Sequence, residues 1–317
     1  MSPSEFCASF IESFLSSEYG HGVKIVPIED QDFKSQVADA TMKFLAPTPS
    51  GRAGIMLISG TGNPQLVQRG VDNIRAARGR VSERTGSYIL PPVVSGDMAG
   101  RTFAVWERKR PFLTSNRVSR HLRNHAYARR IVQWLVAFGT ESMVPVRPDA
   151  VLADLHVIGD DTGFPDDIRR AADRAAARLS AGRWRPVSCL QHGDFWSGNL
   201  LLPTDAGDAP FFVIDWAGLQ HRGYPFLDLS RALMSLRCST RFNRNSIQSL
   251  CRDTGCETED VASYILSACG RLGANLEHFP VERFRASTIG LYRFAHSMRH
   301  RDAEPVHPRI ECANAVP

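Results

Sequence analysis

Apolar and polar positions alternate through much of the first hundred residues, and the period changes after them. "VKIVPIE" (23–29), "SQVADATMKFLA" (35–46) and "GIMLIS" (54–59) alternate or run apolar, with the turn-forming "PTPSG" between the last two; they predict strands. "NPQLVQRGVDNIRAAR" (63–78) instead sets Leu66, Val67, Val71, Ile74 and Ala77 on one face behind an Asn63-Pro64 start, and predicts a helix. "YILPPVVSG" (88–96) and "RTFAVWE" (101–107) predict two more strands. Beyond "RKRPF" (108–112) the period is that of helices. "RVSRHLRNHAYARRIVQWLVAFGTE" (117–141) is long and amphipathic, and "PDDIRRAADRAAARLSAG" (165–182) opens on acidic residues and closes on glycine. "FFVID" (211–215) reads as a short buried strand, and the stretch from about Pro225 to His300 as mainly helical. The pattern predicts an α+β chain of two lobes. The first (1–107) holds five strands and one helix; the second (108–317) is larger, mainly helical, and contains a short strand pair.

Composition narrows this picture only a little. A chain of 317 residues with 43% hydrophobic and 22% charged residues has the make-up of a soluble globular protein with a sizeable core. No apolar run reaches the length of a membrane span. The N-terminal "MSPSEFCASFIESFLSSEYG" is broken by Glu5 and Glu12, so it reads as a short amphipathic helix rather than a signal peptide. The seven cysteines are scattered and odd in number, and Cys251 and Cys256 lack the further pair that a zinc set needs. Reduced thiols and a cytoplasmic location are expected. The formal charge of +5 is spread along the chain without a dense basic block, so neither nucleic acid nor a membrane is an expected partner.

The chemistry concentrates in "LQHGDFWSGNLLL" (190–202) and "VIDW" (213–216). Asp194 and Asn199 are five apart in one glycine-containing loop, and Asp215 follows sixteen residues later at the end of an apolar strand. Moving a phosphoryl group from a nucleotide needs a carboxylate against the acceptor hydroxyl and oxygen ligands that hold Mg²⁺ on the phosphates. Asp194 can serve as the first, and Asn199 and Asp215 as the others.

"HGDFWSGNLL" followed by "FVIDWAGLQHRGYPFLDLSRAL" resembles the aminoglycoside phosphotransferase/choline kinase family, small-molecule kinases with a protein-kinase-like fold. The second string carries that family's metal aspartate and then Gly223, Pro225 and Asp228-Leu229 opening a helix. The resemblance is strong over about 189–235, rests on strand order in the first lobe, and is weak from 236 onward. It implies a bilobal fold with a five-stranded antiparallel sheet in the small lobe, and ATP (or GTP) and Mg²⁺ as cofactors. It casts Asp194 as the catalytic base or acceptor-orienting carboxylate, and Asn199 and Asp215 as Mg²⁺ ligands. His192 and Asp228 become braces of the catalytic loop. Trp196 and Trp216 either line the acceptor site or pack beside the loop. Adenine is expected against backbone groups near Glu107–Lys109.

The first lobe departs from the family pattern. The third strand, "GIMLISG", has Ser59 or a neighbour where a phosphate-holding lysine is usual, and the helix offers Gln68, Asp72 and Arg75 but no glutamate. Lys34 or Arg69 stands as a replacement cation, or else as a solvated surface residue. From residue 220 onward 13 Arg and no Lys face 10 Asp plus Glu, which points to a neutral or anionic small-molecule acceptor rather than a polycationic one. The string also resembles fructosamine kinases, although these usually carry another residue than Trp216 after the metal aspartate. The rival reading is a degenerate kinase fold serving as nucleotide sensor or scaffold, suggested by the absent lysine–glutamate pair.

Overall fold

A computed structural model describes residues 8–28, 41–276 and 279–298. Two compact units divide the chain: Met1–Phe112 with Gly198–Leu219, and Leu113–Ser197 with Gln220–Pro317. The chain thus leaves the first unit after residue 112 and returns to it for 22 residues, which carry two of the candidate site residues.

The first unit is built on an antiparallel sheet. Its strands are β1 (Val26–Pro27), β2 (Thr41–Pro47), β3 (Ala53–Ser59), β4 (Val94–Met98) and β5 (Arg101–Glu107), in the order β1-β2-β3-β5-β4. Alternation in β2 buries Met42, Phe44 and Ala46 on one face, where they join Met56, Ile58, Phe103 and Val105 and the Ile11 and Leu15 side chains of helix α1 (Ala8–Tyr19). On the other face α2 (Leu66–Arg78) packs Val67 and Val71 on Ala104, with Leu57 and Trp106 alongside. Gly54 lies where three strands approach closely: a Cβ there would sit 2.8 Å from the Ala46 carbonyl oxygen and 2.9 Å from that of Trp106. A single turn, α3 (Glu83–Gly86), follows α2 and is capped by Ser82, whose hydroxyl accepts from the Thr85 N–H.

The strand predicted over 88–96 forms only from Val94. Pro91 and Pro92 have no N–H to give a ladder. Tyr88–Leu90 pair elsewhere: Val213 donates to the Tyr88 carbonyl at 2.8 Å, and Leu90 to that of Val213 at 3.4 Å. Pairs of short strands complete this unit. Arg110–Pro111 (β6) lies beside Leu200–Leu202 (β9), which pairs with Phe212–Val213 (β10).

The second unit is mainly helical, with α4 (Arg117–Glu141), α5 (Pro148–Gly159), α6 (Asp166–Ser180), α7 (Leu227–Leu236), α8 (Thr240–Thr254), α9 (Thr258–Gly273) and α10 (Val281–Ser297). α4 and α6 match the predicted spans closely. α5, started by Pro148, was not anticipated. It packs so tightly on α9 that a Cβ on Gly270 would lie 1.8 Å from the Asp154 carbonyl oxygen. A small sheet, β11 (Gln220–Gly223), β8 (Val187–Gln191) and β7 (Val144–Pro145), delivers the catalytic-loop candidate. Among the described residues no helix is long and apolar enough to cross a membrane.

Candidate active site

In the second unit β8 ends at Gln191 and the next three residues are bonded in place. The His192 N–H donates to Asp228 Oδ2 at 2.6 Å and the Gly193 N–H to Asp228 Oδ1 at 3.0 Å. The Asp194 N–H donates to His192 Nδ1 at 3.3 Å. His192 is fully buried and meets Phe195 edge-on, and Phe195 stacks on Trp134 of α4. His192 and Asp228 therefore brace the loop, as the motif suggested. Gly193 has φ +86°, a backbone conformation that glycine adopts without strain. Asp194, at the tip, keeps its side chain 60% exposed.

The brace extends beyond what the motif indicated. Arg231 donates to the Gly193 carbonyl and, at 3.1 Å, to Asp194 Oδ1. Ser235 Oγ accepts from the Ser197 N–H at 3.1 Å. Asp228, Arg231 and Ser235 follow at steps of three and four, one stripe of α7 facing the loop. The spacing in "DLSRALMS" was the signal that could have revealed this stripe. Burial pushes the Asp228 carboxyl above the usual carboxylate range; His192, Arg231 and the two N–H donors act in the opposite direction. The approach to α7 is tight: a Cβ on Gly223 would sit 2.3 Å from Gln191 Cβ, and the Gln191 amide oxygen accepts from the Tyr224 N–H. Tyr224 then donates its hydroxyl to buried Asp154 at 2.5 Å.

In the first unit the β9–β10 hairpin brings Asn199 and Asp215 to its same open end. Leu200 pairs with Val213, and one step further the Ile214 N–H donates to the Asn199 carbonyl at 3.1 Å. Asp215 adopts a left-handed backbone (φ +66°, ψ +63°), uncommon for a residue with a side chain and tolerated best by Asn and Asp. The turn after it is anchored twice. Trp216 is 1% exposed and donates its indole N–H to the Val213 carbonyl, and Asn73 of α2 donates to the Trp216 carbonyl at 2.8 Å. Packing, rather than lining an acceptor site, is therefore what Trp216 does. Asp215 itself faces solvent and Asn199 is mostly buried. An amide oxygen and a carboxylate suit a hard cation such as Mg²⁺, whose remaining positions are ordinarily filled by water and phosphate oxygens. Among the described residues no group of three or more His, Cys, Asp or Glu is placed to hold a metal ion.

The Lys109 side chain is 2% exposed and its amine lies 2.7 Å from Asp208 and 3.3 Å from Asp205 and Glu107. Burial disfavours the Lys109 charge, yet these carboxylates hold its pKa above the ordinary lysine value. Glu107 is bonded to Arg52 at 2.8 Å, which holds its carboxyl below the usual range. The Arg108 N–H is used by the Ala53 carbonyl. Other backbone groups near Glu107–Lys109 stay candidates for adenine. Lys34 lies outside the described residues. Arg69 is exposed on α2. Ser59, in the region of the missing lysine, is buried; it bonds Thr102 at 2.8 Å and accepts from the Val67 N–H, so it anchors the start of α2. Asp72, the acidic residue of that helix, is bonded at the surface by Gln68 and Arg75.

Residues 150–260 match the sequence profile of APH, the phosphotransferase enzyme family. No curated protein matches the chain. Among solved structures, the chain is similar to a thermostable mutant of the aminoglycoside phosphotransferase APH(4)-Ia in ternary complex with ADP and hygromycin B. Identity is 15%, covering 90% of this chain and 98% of that one, with a TM-score of 0.56. It is also similar to a candidate fructosamine-3-kinase from Thermobifida fusca YX-ER1 (17% identity, 90% and 98% covered, TM-score 0.51). A third is the macrolide 2'-phosphotransferase MphH from Brachybacterium faecium, as apoenzyme (14%, 94% and 99%, TM-score 0.51). At such identities the likeness establishes the fold.

Proposed function

We propose that the chain is a kinase that transfers the γ-phosphoryl group of ATP or GTP to a hydroxyl of a small molecule in the cytoplasm. The observation that carries this reading is Asp194, an exposed carboxylate on a loop whose backbone is bonded by Asp228, Arg231 and Ser235 of a single helix. So much fixed structure around a solvent-facing acid is what positioning a nucleophile requires. With Arg231 bonded to Oδ1, the carboxylate is held at the loop and would meet the acceptor hydroxyl there. It orients that hydroxyl and takes its proton as the new O–P bond forms and the bond to the leaving nucleoside diphosphate breaks. Asn199 and Asp215 would hold Mg²⁺, which when bound neutralises charge on the phosphates. Backbone groups near Glu107–Lys109 would take the base. Arg231 sets a cation beside Asp194, which agrees with a neutral or anionic acceptor, a sugar or metabolite rather than a polycation.

Thermal shifts with nucleotides, with and without Mg²⁺, followed by an acceptor panel in a nucleotide-consumption assay, test this directly. Mg²⁺-dependent stabilisation by a nucleotide and consumption with at least one hydroxyl acceptor are expected. A second reading, a nucleotide-binding scaffold, is favoured by one observation: Ser59 and Asp72 are both committed elsewhere, where a kinase usually keeps a lysine–glutamate pair. Mg²⁺-dependent binding without turnover on any acceptor would select it.

A further inference from the structure

The first sheet carries a cation one strand away from the position where it is usually found. β2 and β3 pair antiparallel with Lys43 opposite Leu57, and Leu57 is opposite Ala104 of β5. Residues directly opposite in an antiparallel sheet project to the same face, so Lys43, Leu57 and Ala104 form one row. Met42 and Phe44 project to the other face, into the core with α1. Lys43 therefore belongs to the face on which α2 packs Val67 and Val71 against Ala104 and Leu57. The same helix holds the turn after Asp215 through Asn73. One helix thus links the sheet face that bears Lys43 to the metal-ligand candidate, all within one compact unit.

We infer that Lys43 binds the α- and β-phosphates of the nucleotide, standing on β2 in for the lysine that β3 does not carry. The inference rests on the kinase reading above. A nucleoside triphosphate keeps net negative charge even with Mg²⁺, and leaving it unpaired in a partly dry cleft costs several kcal/mol. Neighbouring strands lie about 4.8 Å apart, a displacement that lysine's flexible four-carbon stem can span.

The test is calorimetry on the full chain with ATP plus Mg²⁺, ADP, and adenosine, which has the base and ribose but no phosphate. Lys43→Met is expected to weaken ATP and ADP at least tenfold, about 1.4 kcal/mol, and to leave adenosine unchanged. Lys43→Arg should recover part of the loss. The ratio of ATP to adenosine affinity, measured also on Lys43→Gln, is the deciding quantity, because a general folding defect would not move it. ATP affinity within twofold of wild type, or equal losses for ATP and adenosine, would overturn the inference. A wild-type chain that binds no nucleotide would overturn the kinase reading itself.

Discussion

The loop at 192–199 and the sheet at 41–59 present their chemistry in different ways. Around the loop, side chains of one helix hold the backbone, and of these sequence reading gave a role only to Asp228. Asp228 holds two N–H groups, Arg231 reaches Asp194, and Ser235 closes the far end. On the sheet, Ser59 anchors the start of a helix, and Lys43 is placed on its face only through a cross-strand register. Local motifs report chemistry built from one loop and one helix. They do not report chemistry carried by strands whose relation is set by pairing. The following substitutions probe that contrast, beginning with the largest effect.

Asp194→Asn should leave the melting temperature and nucleotide affinity close to wild type while lowering turnover by about two to four orders of magnitude. Steady-state kinetics on the true acceptor checks this, and turnover within threefold would remove Asp194 from its role. Asp228→Ala strips two buried N–H groups of their acceptor. A loss of about 1.5–3 kcal/mol in denaturant unfolding is expected, together with reduced turnover. If stability falls and turnover per folded molecule does not, the helix stripe supports the fold rather than the site.

Arg231→Met should lower kcat about tenfold with little change in nucleotide affinity, because the arginine holds the Gly193–Asp194 loop. A change in nucleotide affinity larger than that in kcat would contradict this. Lys109→Met is a stability probe. Glu107 and Asp208 have lowered pKa values in the folded state, through Arg52 and Lys109 against the opposing effect of burial. Their contribution is therefore full above the ordinary carboxylate range and lost as pH falls through their folded values. The wild-type advantage over Lys109→Met, followed by thermal melts, should shrink on acidification from neutral pH. An advantage that grows in acid would contradict the pairing.

Much of the fold was legible because its cause is periodic. The 3.6-residue period of 117–141 and the alternation within 35–46 have no competing use; the helix appears as read, and the strand forms over Thr41–Pro47, with 35–40 outside the described residues. The start of the 88–96 strand was misread because Tyr88–Leu90 do pair, but with Val213, a partner more than a hundred residues away. α5 was missed because Val151, Asp154, Leu155 and Ile158 include a buried carboxylate, which blurs the apolar stripe until Tyr224 and Arg271 are seen bonded to it. The ion cluster around the Lys109 side chain could not be read because its partners Asp205 and Asp208 lie nearly a hundred residues on. For Asp194, Asn199 and Asp215, sequence identified the chemical types, and the structure adds how each is held.

The central claim is that Asn199 and Asp215 form an oxygen site for Mg²⁺ on a bound nucleotide. Calorimetry of nucleotide binding with and without Mg²⁺, on wild type and Asp215→Ala, tests it most directly. Wild type should bind more tightly with Mg²⁺, and the variant should bind equally in its presence and absence. A variant that keeps the wild-type Mg²⁺ dependence would contradict the claim.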